Sequence, residues 1–118
     1  MTGVAYKLVD RAEWEAARAD GAYAGSAVDR ADGYIHMSTA EQLVETARRH
    51  YAGRSDLVLV TVDLTALDAA LKWEASRGGA LFPHLYGALP MAAATAERAL
   101  SVDDDGVMVF ADGEGGWR

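Results

Sequence analysis

The apolar run Leu57-Val58-Leu59-Val60-Thr61-Val62 constrains the fold more than any other segment of the chain. Most of its residues are branched at Cβ, which favours an extended strand. A strand that is apolar at successive positions must be covered on both of its faces. The run therefore predicts a buried strand with other elements packed on each side of it.

The length and composition of the chain fit a single folded unit. The chain has 118 residues and 51% apolar side chains, enough for one hydrophobic core without covalent staples. We expect one domain over residues 1–118, with a frayed Gly-rich, acidic tail at residues 110–118. The absence of cysteine excludes a disulfide framework, a cysteine-based zinc or iron–sulfur site and a thiolate nucleophile.

The net charge of the chain limits the classes of partner that it is expected to bind. Its 11 Lys and Arg residues against 18 Asp and Glu residues give a net charge of −7. Binding to a phosphate backbone needs clustered cations, so a nucleic-acid partner is not expected. No window approaches the roughly 20 apolar residues that span a bilayer, and no secretory signal opens the chain, so we expect a soluble cytoplasmic domain with no membrane partner.

Short strands and helix-capping signals alternate along the chain, which predicts a mixed α+β domain. Asp10 opens a helix that runs to Gly21, and Ser38 with Glu41 opens a second helix that ends at Gly53. The residues from Gly21 to Gly33 are predicted to form a loop, and residues 92–100 fit either a helix or a strand. Strands are predicted at residues 4–9, 33–37, 57–62, 71–74 and 107–110.

The first candidate site surrounds His36. If Ile35 and Met37 point into the core, the alternation of a strand places Tyr34, His36 and Ser38 on the other face. That face meets the start of a helix, whose free backbone N–H groups attract anions. The pattern predicts a nucleotide-phosphate site, while the structural alternative is a hydrogen-bonded strand histidine beside a helix cap.

The second candidate site lies in the aromatic segment 82–87. His84 and Tyr86 are two residues apart, so they project together if the segment is extended. Arg77 and a Gly-Gly pair precede them, and glycines permit the close approach of a ligand. A core-packing aromatic turn is the structural alternative.

Other chemistries are less well supported by the sequence. His36 and His84 with Asp29 or Asp32 would supply three metal ligands, and a small metal-dependent hydrolase is therefore one alternative function. However, the chain has no His-x-His or His-x-x-x-His pair. It also has no phosphate-binding glycine loop and no nucleophilic serine elbow.

A combination of short motifs resembles DUF952, a small bacterial domain-of-unknown-function family, over residues from Tyr6 to about Phe110. The family looks like a divergent member of the ADP-ribosyltransferase-like fold and is similar in outline to the RNA 2′-phosphotransferases. The motifs are Tyr6-Lys7-Leu8, Glu13-Trp14, Gly25-Ser26, Asp32-Gly33-Tyr34-Ile35-His36-Met37-Ser38-Thr39, Leu71-Lys72-Trp73-Glu74, Gly78-Gly79 and Phe82-Pro83-His84-Leu85-Tyr86-Gly87.

The resemblance implies a split mixed β-sheet, with flanking helices, around an NAD cleft. The family's first site residue falls at Tyr6-Lys7 and its second at His36. A late catalytic glutamate would fall in segment 82–86, where this chain has His84 instead. Glu74 lies upstream and would serve only if the chain folds back.

We therefore expect a cleft for a nucleotide or a phosphorylated small molecule, in a NAD- or nucleotide-dependent transferase. His36 or His84 would be the catalytic acid–base group, because histidine titrates near neutral pH. A non-catalytic ligand-binding module is the alternative. The residues expected to bind the ligand are Tyr6, Lys7 and Ser38 on the wall of His36, Arg77 and Tyr86 on the opposite wall with His84, and Thr39.

Overall fold

The three-dimensional structure, a computed structural model, describes residues 3–113 apart from the side chains of Asp68 and Arg77. The strands are β1 Val4–Asp10, β2 Ala22–Tyr23, β3 Ile35–His36, β4 Leu57–Asp63, β5 Leu71–Ala75, β6 Leu81–Leu85, β7 Leu89–Pro90, β8 Ala94–Val102 and β9 Met108–Phe110. The helices are α1 Arg11–Asp20, α2 Ala27–Asp32 and α3 Ala40–His50, with 3₁₀ turns at Leu64–Ala66, Asp68–Ala70, Arg77–Gly79 and Met91–Ala93. None of the helices in this part of the chain is long and apolar enough to cross a bilayer.

The strands form three sheets, and together with the helices they make a compact single-domain α+β fold. A four-stranded sheet has the order β1-β4-β8-β9, a three-stranded sheet has the order β3-β6-β5, and β2 pairs with β7. Within residues 3–113 these pairings are antiparallel throughout, where a mixed sheet was expected. Tyr6 and Ser38 exchange backbone hydrogen bonds of 2.8 and 2.9 Å, which join β1 to the segment after β3.

The β4 strand is buried on both faces, as the apolar run predicted. Its alternate side chains enter two hydrophobic cores, and its neighbours β1 and β8 cover its edges. The first core contains Val58, Val60 and Val62 with Trp14, Ile35, Leu85 and Leu89. The second core contains Leu57 and Leu59 with Leu43, Ala47, Leu100 and Phe110.

The segment predicted as a loop between Gly21 and Gly33 contains β2 and α2. Ser26 Oγ accepts a hydrogen bond from the Asp29 backbone N–H at 3.1 Å, and Asp29 Oδ2 accepts one from the Ser26 N–H at 2.9 Å. This reciprocal capping box starts α2, and Gly33 ends it in a left-handed conformation. The loop prediction was wrong because the Ser-x-x-Asp spacing was not interpreted as a helix start.

The start of α3 lies one residue later than predicted. Thr39 is the N-cap, and its hydroxyl accepts from the Gln42 N–H at 3.2 Å. Ser38 is unavailable for that role because its backbone pairs with Tyr6 and its side chain is buried. The ambiguous segment 92–100 contributes mainly to strand β8, which pairs with β4.

The C-terminal part of the described chain is held by β9. Phe110 is buried in the second core, and the Arg98 guanidinium lies 3.8 Å from the centre of its ring. Arg98 also donates two hydrogen bonds of 3.0 Å to Asp112. Of the predicted tail at 110–118, residues 114–118 lie outside the described residues.

Two glycines that flank α2 provide a matched test of its packing. Gly25 and Gly33 have φ values of 103° and 90°, so alanine is strained at both positions. A Cβ at Gly25 would lie 2.8 Å from the Asp29 Cβ, whereas a Cβ at Gly33 meets nothing within 4 Å. Gly33→Ala should lower the free energy of unfolding by about 1–2 kcal/mol, and Gly25→Ala by about 1–3 kcal/mol more. Urea denaturation measures both losses, and equal losses would contradict the close packing of Gly25 against Asp29.

Candidate functional site

The two candidate histidines are direct cross-strand neighbours. In the β3–β6 ladder Ile35 faces Leu85, and His36 faces His84. Ile35 and Leu85 point into the first core, so the two imidazoles share the opposite face of the sheet. Their ring centres are 5.5 Å apart in an edge-on arrangement. The histidines therefore lie side by side on one surface, and the expectation that they lie on opposite walls was wrong.

Two tyrosines extend this surface. The Tyr34 ring stacks on the His84 ring with centres 4.2 Å apart and planes inclined by 26°. Tyr34 also lies 4.6 Å from the His36 ring and 5.1 Å from the Tyr86 ring. We refer to Tyr34, His36, His84 and Tyr86, together with Glu74, as the imidazole face.

Glu74 joins the imidazole face because the chain folds back between β5 and β6. In that hairpin Glu74 pairs with Phe82 and Lys72 pairs with His84. One carboxylate oxygen of Glu74, Oε1, accepts from the Tyr86 hydroxyl and faces His84 Nδ1, each at 2.8 Å. These bonds, from His84 first and then Tyr86, lower the pKa of the Glu74 carboxyl. The chain thus folds back between β5 and β6, which was the condition for Glu74 to stand where a late glutamate was expected.

The Glu74 hydrogen bond also affects Tyr86. Because Glu74 accepts a hydrogen bond from the phenolic O–H, it favours the neutral phenol and raises the pKa of Tyr86. The Tyr86 side chain is partly exposed, and the Lys72 ammonium lies 4.9 Å from the centre of its ring. The solvent-facing end of the imidazole face thus combines an aromatic ring, a carboxylate and a cation.

A buried carboxylate, that of Asp29, fixes the position of His36. Asp29 Oδ1 accepts from the His36 backbone N–H at 3.1 Å and lies 2.6 Å from His36 Nδ1. Both Asp29 oxygens also lie near the Lys7 ammonium, at 3.2 and 3.0 Å, and Oδ2 accepts from the Ser26 N–H. Asp29 therefore ties together β1, α2 and β3.

The Lys7–Asp29 pair lies in the protein interior, with only 5% and 2% of the two side chains exposed. Burial opposes the charge of Asp29, but the His36 hydrogen bond and the Lys7 charge outweigh it and hold the pKa of Asp29 well below its ordinary value. Burial lowers the pKa of Lys7 although the Asp29 carboxylate opposes that shift. A buried ion pair of this kind is costly to break, because one charge would remain without its partner.

Lys7 and Tyr6 occupy opposite sides of β1. Lys7 lies between Ala5 and Val9, which face the first core, whereas Tyr6 and Leu8 belong to the second core. The prediction that Tyr6 and Lys7 line one wall was wrong, because successive side chains of a strand alternate. Lys7 reaches the imidazole face only through Asp29, and its charge is already balanced there.

The side chains of the predicted anion site at the start of α3 are already engaged by other groups of the chain. The Ser38 side chain is buried and its hydroxyl lies 2.8 Å from the Thr46 hydroxyl within α3. Thr39 and Gln42 form a reciprocal capping box, so the Thr39 hydroxyl already accepts an N–H of the first turn. Arg77 lies in the 3₁₀ turn that follows β5, and its side chain is outside the description.

Both ring nitrogens of His36 face carboxylates, which matters for the metal hypothesis. Nδ1 contacts Asp29, and Nε2 lies 2.9 Å from Asp32 Oδ2. His84 Nδ1 is likewise engaged with Glu74. Among residues 3–113, no group of three or more His, Asp or Glu side chains is arranged to hold a metal ion.

Sequence reasoning missed the role of Asp29 as the organiser of this site. Two signals were present. One was the Ser26-x-x-Asp29 spacing of a capping box, and the other was a lysine inside an otherwise apolar strand, which requires a buried partner.

Comparisons with known proteins identify the family but no activity. The family described as "Protein of unknown function (DUF952)" matches residues 8–97, and the chain belongs to this family. The chain is similar to the crystal structure of protein CC0527 from Caulobacter crescentus, with 52% identity over 90% of this chain and 93% of that chain and a TM-score of 0.85. A solution NMR structure of CC0527 gives 51% identity over 89% and 90% of the two chains and a TM-score of 0.77. No match was found among curated proteins.

A double-mutant cycle should reveal the coupling between Lys7 and Asp29. Asp29→Asn should lower the free energy of unfolding by about 3–5 kcal/mol, because it leaves the Lys7 ammonium buried without a counter-charge. Lys7→Met should cost less, because Asp29 keeps its donors from Ser26 and His36. The double variant should lose less than the sum of the two by about 1–3 kcal/mol in chemical denaturation. Additive losses would contradict the coupling.

The Asp29 carboxylate should also make stability depend on acidity. Because folding lowers its pKa, the stabilisation is complete above the ordinary pKa of about 3.9 and is lost as the pH falls below it. The difference in unfolding free energy between the wild type and Asp29→Asn should therefore shrink between about pH 4 and pH 2, by up to about 1.4 kcal/mol per pH unit. A difference that stays constant over this range would contradict the assignment.

Proposed function

We propose that the imidazole face binds a nucleotide or a related phosphorylated small molecule, and that the chain is an ADP-ribosyltransferase-like enzyme for which NAD is the candidate substrate. The position of Glu74 carries this proposal. A carboxylate held by His84 and Tyr86 stands beside the aromatic surface, although no glutamate occurs in segment 82–86. The motifs resemble the DUF952 family, and the likeness of that family to the ADP-ribosyltransferase-like fold supports this reaction class.

The aromatic rings supply the surface that a flat heterocycle requires. Tyrosine and imidazole rings stack on nucleobases through their faces, at a gain of about 1–3 kcal/mol per base. Tyr34 lies at the centre of the face, in contact with the rings of His36, His84 and Tyr86. Among variants that remove one ring of this face, the variant that removes the Tyr34 ring should therefore weaken ligand binding most.

The polar groups fit the rest of such a ligand. Glu74 stays ionised because two donors lower its pKa, so it can accept hydrogen bonds from ribose hydroxyls and stabilise positive charge at the ribosyl carbon. Lys72 is the cation at the exposed edge and can balance phosphate. Lys7 does not fill that role, because it is buried against Asp29. His36 or His84 provides the acid–base group.

A non-catalytic ligand-binding module is the second candidate, and the burial of His84 favours it. Only 4% of the His84 side chain is exposed, and both histidines are tied to carboxylates. Such fixed rings suit recognition without proton transfer. The metal-dependent hydrolase is not favoured by any observation on the described residues, since His36 has a carboxylate at each nitrogen.

Release of nicotinamide tests the transferase. The chain incubated with NAD should release nicotinamide, and Glu74→Gln should reduce the rate by at least about tenfold, as loss of a charge-stabilising group does. Glu41→Gln, which removes an exposed carboxylate in α3, is the matched control and should keep the wild-type rate. Absence of release by the wild type at high protein concentration would refute the transferase.

Calorimetric titration with ADP-ribose tests binding independently of turnover. The wild type should bind, Tyr34→Ala should bind about 5- to 150-fold more weakly, and Tyr34→Phe, which keeps the ring, should bind like the wild type. Binding without nicotinamide release would establish the ligand-binding module. No binding of ADP-ribose would overturn the nucleotide proposal.

A further inference from the structure

The two carboxylates around the His36 ring come from a single short helix. Asp29 and Asp32 lie three residues apart in α2, so they project from adjacent positions of one helical face. His36 Nδ1 lies 2.6 Å from Asp29 and Nε2 lies 2.9 Å from Asp32. The ring thus stands between two groups that only accept hydrogen bonds when they are ionised.

The number of ring protons decides how many of these bonds exist. The imidazolium form carries a proton on each nitrogen and can donate to both carboxylates, whereas the neutral ring carries one proton. We expect that single proton at Nδ1, because the Asp29 carboxylate beside it is buried and is fixed by Lys7 and the Ser26 N–H. The Asp32 side chain, in contrast, is about half exposed to solvent.

From this geometry we infer that His36 Nε2 is the proton-transfer atom of the imidazole face and that Asp32 is a positioning residue that controls it. In the imidazolium form, Asp32 covers Nε2 and holds α2 against β3. When the ring gives its Nε2 proton to solvent water, the Nε2 lone pair faces the Asp32 carboxylate, the two repel, and the Asp32 side chain turns away into solvent. Nε2 is then open to accept a proton from a ligand. The inference rests on the proposed function in one respect, that a ligand binds at this face.

The other groups around His36 do not compete for Nε2. The Lys7 charge acts on the ring through Asp29, and the His84 ring approaches edge-on with its Nδ1 engaged by Glu74. The Tyr34 ring lies 4.6 Å from the His36 ring, centre to centre. His84 differs from His36 because its side chain is 4% exposed against 33% for His36, so a ligand proton reaches His36 more readily.

Ring-nitrogen NMR of the chain without ligand tests the inference. The pH is raised until the His36 ring is neutral, and the neutral ring should show a protonated Nδ1 and an unprotonated Nε2. Amide hydrogen exchange in α2, corrected for the intrinsic pH dependence, should become about threefold or more faster as the ring becomes neutral and the Asp32 contact is lost. Asp32→Asn should abolish or reverse this change, because its amide donates to the neutral ring. Glu41→Gln should behave like the wild type.

Two outcomes would overturn the inference. One is a neutral His36 ring that carries its proton on Nε2, and the other is an equal change in α2 exchange for the wild type and Asp32→Asn. Neither depends on a nucleotide, so a failure of NAD or ADP-ribose to bind is distinguished from a failure of this proton assignment.

Discussion

The buried carboxylate of Asp29 is the interaction on which the site depends. It neutralises Lys7 inside the first core, accepts the backbone N–H and faces the ring of His36, and caps α2 through Ser26. A charge buried to this degree is tolerated only when every acceptor lone pair finds a donor. The three elements that supply the donors are therefore held in one arrangement.

That arrangement positions the imidazole face through contacts within the chain itself. His36 is positioned from α2 and β1, while His84 is positioned by Glu74 in the β5–β6 hairpin. The two halves meet through the β3–β6 pairing and the Tyr34 ring. Membership of the DUF952 family and the likeness to CC0527 define the fold, whereas the chemistry of the face follows from these contacts.

The periodicity of apolar residues predicted much of this structure. It succeeds because side chains that are close in sequence alternate between the two faces of a strand, so the buried face can be deduced locally. It identified β4 as covered on both faces and placed Tyr34 and His36 together. It did not reveal the register of the β5–β6 hairpin, which brings Glu74 to His84, or the partner of Lys7, which lies 22 residues away. Those contacts are set by tertiary packing. The prediction that Tyr6 and Lys7 line one wall could have been avoided, because successive side chains of a strand point to opposite faces.

The central claim is that two imidazoles from distant parts of the chain form one ligand-binding surface. The most direct measurement is the NMR spectrum of the histidine rings during titration with ADP-ribose, in which His50 at the end of α3 serves as an internal reference. The account predicts that the His36 and His84 ring signals shift together and saturate at the same ligand concentration, while the His50 signal stays in place. Shifts of only one of the two rings, of all three equally, or of none would contradict it.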